Sequence, residues 1–112
     1  MTMTSEEEET GQYEELEREM NRAFLQHVED AIVPAPVFVH VVHDDHHWWH
    51  AAELGMAVIL DKQIVITARP GQYVPTTLLE LGAEVVRADL DSEEGQQDML
   101  AAVQRVIEDN DL

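Results

Sequence analysis

Seven consecutive residues, His43-Asp44-Asp45-His46-His47-Trp48-Trp49, bring together three imidazoles, two carboxylates and two indoles. Imidazoles titrate near neutral pH and ligate metals, and carboxylates accept protons or bind cations. Indole rings stack on flat ligands. Beyond this run, His46, His50 and Glu53 fall at i, i+4 and i+7, which places all three on one face of a helix. Such a face could hold a divalent metal through His46 and His50, with His43, Asp44 and Asp45 nearby. Glu53 is the sharper candidate, because no other charged residue lies between Ala51 and Leu60. A carboxylate buried on an apolar helix has a raised pKa and suits work as a nucleophile or a general acid/base. The plainer alternative is that Glu53 faces solvent or pairs with His50, one turn earlier. His40 stands inside an apolar run and reads as a hydrogen-bonded core residue rather than a ligand.

A turn carrying these groups must be held by rigid elements on both sides. From Gln12 to about Asp30, Leu16, Met20, Phe24 and Val28 recur at helical spacing, which predicts an amphipathic helix. Pro34 and Pro36 stop it and favour extended chain. Val37 to Val42 is β-branched and apolar on both sides of the pleat apart from His40, the pattern of a buried parallel strand. A helix is expected from His46 or His47 to Leu60, apolar nearly all round and so covered on more than one face. Gly55 in its middle costs roughly 1 kcal/mol relative to Ala, so a close approach by a neighbouring element is expected there.

Gln63 to Thr67 reads as a second buried strand, followed by the loop Ala68-Arg69-Pro70-Gly71. Together with the preceding helix it makes a βαβ unit, for which a right-handed crossover is the default. A short helix should start at Pro75 and run to Leu81, with Gly82 as a left-handed terminator, and Glu84 to Ala88 should form a third strand. Asp91 and Glu94 suggest a capping box for a last helix that buries Met99, Leu100, Val103, Val106 and Ile107. The predicted fold is a small three-layer α/β sandwich, with a parallel sheet of about three strands flanked by helices and preceded by an N-terminal helix. Residues 12–112 would form one domain after a disordered acidic tail at 1–11. In such sheets ligands collect beyond the carboxyl ends of the strands, where the His43 to Trp49 segment lies.

Composition narrows the function further. The formal charge is −18, from 24 acidic residues against six Lys plus Arg, with Lys62 the sole lysine. That surface repels phosphate backbones, so nucleic acid is not an expected partner, and solubility or adaptation to high salt accounts for the excess. No apolar run approaches bilayer length and no secretory signal opens the chain, so no membrane partner and a cytoplasmic location are expected. Cysteine is absent, which excludes disulfides, thiolate metal sites and cysteine nucleophiles. With 112 residues the core is limited, and a homo-oligomer is expected.

The run Ala52-Glu53-Leu54-Gly55-Met56-Ala57, followed by Asp61-Lys62-Gln63-Ile64-Val65-Ile66, resembles the nucleoside 2-deoxyribosyltransferase-like family. There a Glu-Leu-Gly-x-Ala helix leads through a Gly-Lys-Pro turn into the next strand, and the preceding apolar strand ends in aspartate. The resemblance covers roughly residues 31–112. It implies that Glu53 is a nucleophile attacking the anomeric carbon of a deoxyribonucleoside, with Asp44 or Asp45 contacting or protonating the base. Two departures stand out. The family's first strand with its Tyr is missing, and its Asp-x-Gly-Thr run is replaced by His47-Trp48-Trp49-His50.

Three functions are therefore expected in turn. The first is nucleoside or nucleotide binding, with hydrolysis or transfer at an N-glycosidic bond through Glu53 as its sharper form, and with His43, His47, Trp49 and Arg69 contacting the ligand. Adjacent helical residues point about 100° apart, so only one of Trp48 and Trp49 should face the ligand while the other packs on the first helix or a subunit. Arg69 could meet a phosphate or carboxylate, and Tyr73 is a weaker candidate of the same kind. The second is a non-enzymatic assembly or regulatory module of the same fold. The third is a metal-binding protein using the His/Asp cluster; no organic cofactor is expected, and a divalent metal is the one candidate.

Overall fold

A computed structural model describes residues 5–45 and 47–112, with side chains described from residue 10 onward. Three parallel strands, β1 (Val37–Val41), β2 (Gln63–Ala68) and β3 (Glu84–Arg87), lie in the order β1-β2-β3. Val39 pairs with Val65, which pairs with Glu84 on the other side. The central strand is buried from Ile64 to Ala68, as a β-branched run covered on both faces requires. Its two faces build two cores. Ile64, Ile66 and Ala68 pack with Ala57 and Leu54 of α2 (Trp48–Ile59) and Leu78 of α3 (Thr76–Leu81). Val65 packs with Val86, Ala88 and the Ala102 and Val106 side chains of α4 (Glu93–Asp109). The result is the three-layer α/β sandwich expected from the sequence.

Helix α1 (Ser5–His27) precedes the sheet and ends in a π-helical turn, Val28–Ile32, that buries Val28 and Ile32. The helix starts at Ser5, where an acidic tail through residue 11 was expected; residues 1–4 of that tail lie outside the described residues. Glutamates are good helix formers, and their charge is favourable near the positive end of the helix dipole. Beyond the proline-containing segment, Lys62 donates to the Val33 carbonyl at 2.6 Å and ties this connection to the entrance of β2.

Several local details differ from expectation. Helix α2 is covered on two sides, by the sheet at Leu54 and Ala57 and by the first helix at Trp49 and Glu53, but it is not covered all round: Ile59 is 76% exposed and Val58 is also open. Gly55 has open space around it, so no close approach explains it. Gly82 is not left-handed (φ −75°); it is needed because a Cβ there would stand 2.9 Å from Ile66 Cγ1. Left-handed residues sit instead at Asp61 (φ 56°), in the turn into β2, and at Gly71 (φ 80°). The cap of α4 is Ser92, not Asp91: its hydroxyl accepts from the Gly95 amide at 3.0 Å and donates to the Asp89 carbonyl at 2.8 Å.

Candidate functional site

The carboxyl end of β1 opens into a cleft of about 490 Å³. Its apolar base comes from Val42, Ala51, Leu54, Pro75 and Leu78, and its polar wall from His40, His43, Asp44, Asp45, His47 and His50. Trp48 and Tyr73 supply the aromatic rim. The segment that the sequence singled out is thus largely gathered at one opening, because β1 ends at Val41 and α2 begins at Trp48. His47 makes that helix start possible: its Nδ1 accepts from the Trp49 amide at 3.2 Å.

Within the polar wall, the His43 and His50 rings stack at 3.8 Å with 12° between their planes. One ligand-type atom from each of His43, Asp45 and His50 lies within 4.8 Å of the others. His46, expected as a metal ligand with His50, lies outside the described residues. His40 lines the cleft from β1, and its pKa falls below the ordinary imidazole value. Burial is the main cause, followed by repulsion from His43 and His50, with Glu53 partly opposing.

Glu53 is mostly buried, its side chain 18% exposed, as its isolation on an apolar helix suggested. Its carboxylate does not line the cleft. Oε2 is 2.7 Å from Nε2 of His27, at the end of α1, and Oε1 is 3.7 Å from Nδ1 of His50. Glu53 therefore stands behind the His50 ring, between the cleft wall and the first helix. Trp49 also turns away from the cleft, edge-on to Phe24 at 5.1 Å and beside His27 at 5.5 Å, whereas Trp48 both packs against Phe24 and reaches the cleft. Both tryptophans thus pack on the first helix and only Trp48 reaches the opening, so Trp49, expected to contact the ligand, is turned away from it, adjacent helical residues pointing about 100° apart.

Asp44 is held from the other side. Gln72 Nε2 donates to its Oδ1 at 2.9 Å and to the Val42 carbonyl at 3.1 Å, and the Arg69 guanidinium donates to Oδ2. The Gln72 hydrogen bond and then Arg69 hold the Asp44 carboxyl below the usual carboxylate range. Arg69 lines a smaller hollow of about 230 Å³ over the ends of all three strands, together with Asp44, Thr67, Gln72, Asp89 and Asp91. Sequence reasoning missed His27 and Gln72. His27 sits next to Val28 on the apolar stripe of α1, which is a signal of burial but not of a partner; Gln72 carries no pattern at all.

Fold and cleft define a parallel α/β protein with a ligand-sized opening at the carboxyl edge of its sheet, the place where such sheets bind ligands. No protein-family model, curated protein or solved structure matches the chain. Among the described residues no helix is long and apolar enough to cross a membrane.

Proposed function

We propose that the cleft binds a nucleoside or nucleotide. The observation that carries this reading is the opening itself: about 490 Å³ over an apolar base, with aromatic rings at Trp48 and Tyr73 and hydrogen-bonding groups from the His43 to His50 segment. Small-molecule sites have this size and this mixture of apolar walls and few convergent polar groups. Bond cleavage through Glu53 is the sharper version. It asks the carboxylate to part from His27, 2.7 Å away, and to pass His50. Calorimetric titration of the untagged protein with deoxynucleosides and nucleoside monophosphates tests the binding. Tyr73, 80% exposed, can be removed with little harm to the core, and Tyr73→Ala should weaken binding about tenfold, the order of one base–aromatic stack. Absence of saturable binding to every nucleoside tried sinks the reading. Binding without release of free base, in wild type and Glu53→Ala alike, keeps the binding protein and removes the hydrolase or transferase.

A second reading, assembly of copies of this chain, rests on α1. Tyr13, Leu16, Met20, Phe24 and Val28 form one stripe, yet Tyr13, Leu16 and Met20 stay exposed while Phe24 packs on the tryptophans and Val28 is buried. A second copy of α1 offers an apolar stripe of the same spacing. Sedimentation equilibrium should show a dimer or larger species that Met20→Glu dissociates; a monomeric wild type at micromolar concentration removes this reading.

A further inference from the structure

We infer that His43, Asp45 and His50 form a site for one divalent transition-metal ion in the wall of the cleft. One candidate ligand atom from each residue already lies within 4.8 Å of the other two. Around a tetrahedral zinc-like ion with bonds of about 2.0–2.2 Å, ligand atoms sit about 3.3–3.6 Å apart, so a shift of about 1.5 Å or less closes the set. His43 and Asp45 are exposed and free to make that shift, while His50 is half-buried on α2 and supplies the fixed ligand. The His43 and His50 rings lie 3.8 Å apart and nearly parallel, so the two ligand side chains are already neighbours and a turn of the exposed His43 ring brings both nitrogens to one ion.

A second feature points the same way. Glu53 Oε1 stands 3.7 Å from Nδ1 of His50, and Glu53 is itself held by His27 at 2.7 Å. At 3.7 Å this is a charge contact longer than a hydrogen bond, and a small turn of the His50 ring closes it. A carboxylate on Nδ1 then orients the ring and leaves Nε2 for a metal, the arrangement found around metal-bound imidazoles. Glu53 is here a positioning residue. The donor set selects the ion: two imidazoles and one carboxylate suit Zn²⁺, Co²⁺, Ni²⁺ or Fe²⁺, whereas Mg²⁺ and Ca²⁺ prefer oxygen alone. All three ligands line the cleft, so the remaining coordination positions face it and can take a donor atom from a bound anion or nucleotide phosphate.

The test uses the untagged full-length protein, stripped with a chelator, and the metal alone, so its outcome does not depend on nucleoside binding. Zn²⁺ is titrated by calorimetry and Co²⁺ by visible absorption. One ion per chain is expected, with a raised urea midpoint in the presence of Zn²⁺. Asp45→Asn keeps every histidine, so a merely adventitious imidazole cluster would keep its metal. The site predicts that Asp45→Asn and His50→Ala each weaken binding at least about 10–100-fold and lose the Zn²⁺-dependent stabilisation. His43→Gln, at an exposed position, serves if His50→Ala does not fold. Absence of saturable binding at millimolar Co²⁺, or an Asp45→Asn variant that binds as the wild type does, overturns the inference.

Discussion

The pairing of His27 with Glu53 should be worth enough to measure, and its removal separates two roles for Glu53. The contact spans 26 positions and joins α1 to α2, with Nε2 and Oε2 2.7 Å apart. A hydrogen bond to a charged group contributes about 1.5–3 kcal/mol when well shielded. Here the His27 side chain is 33% exposed and Glu53 18% exposed, so water competes and the value falls to the bottom of that range or just below it, about 1–2 kcal/mol. His27 also packs beside Trp49, so a single His27→Ala mixes lost packing with the lost bond. A double-mutant cycle of His27→Ala and Glu53→Ala removes that mixture. Each variant should shift the urea midpoint down by about 0.5–1 M, and the coupling energy should be about 1–2 kcal/mol. Tryptophan fluorescence follows the transition, since Trp49 reports the α1–α2 junction directly. A coupling energy indistinguishable from zero refutes the anchoring role. If Glu53→Ala also abolished base release from a deoxynucleoside, the carboxylate would instead belong to the chemistry.

The remaining expectations concern single side chains. Ala is preferred to Gly in a helix by about 1 kcal/mol, and Gly55, with open space around it, should yield that gain in Gly55→Ala, read as a higher thermal midpoint. Gly95→Ala should do the reverse, because its Cβ would stand 1.9 Å from the Asp89 carbonyl oxygen; a loss of about 2 kcal/mol or more is expected, and a stable variant would mean the α4 cap is misread. Thr67, 1% exposed, has a buried hydroxyl without a partner among the described residues, so Thr67→Val should be neutral or stabilise by about 1 kcal/mol in urea unfolding. His40 has its folded pKa lowered by burial and by His43 and His50, against the opposing charge of Glu53, so the unfolded chain takes up the proton first as pH falls. Its contribution to stability is therefore complete above the ordinary histidine value, declines through that value and levels off below the lower folded one. His40→Gln should flatten the pH dependence of the urea midpoint in that window; an unchanged slope would contradict it.

The sheet and its helices were legible because each rests on local pattern. A strand covered on both faces must be apolar without alternation, and Ile64 to Thr67 is both that and fully buried. The start of α1 was obscured because four glutamates suggest repulsion, while the helix dipole favours them at that end. Asp91 and Ser92 are both cap-forming types, and the choice falls to Gly95, whose missing Cβ lets the Asp89 carbonyl approach. Gly82 illustrates the same limit: its identity is explained by Ile66 on another strand, which no local spacing reveals.

The site was legible in composition and not in geometry, and one residue explains the gap. Reading His46, His50 and Glu53 as one helical face requires a helix running from residue 46. His47 instead caps the helix with its own ring, so regular spacing begins only at Trp48. His43 and Asp45, beyond the end of β1, come to the side of His50, while His46 lies outside the described residues. Glu53 keeps the burial its isolation foretold, but its closest partner comes from α1 through a π-helical turn that apolar spacing does not encode. The same carboxylate thus faces two histidines, His27 on the first helix and His50 on the cleft wall. A change that moves the His50 ring acts on the carboxylate that anchors α1, so occupancy of the cleft and attachment of the first helix are expected to be coupled through Glu53.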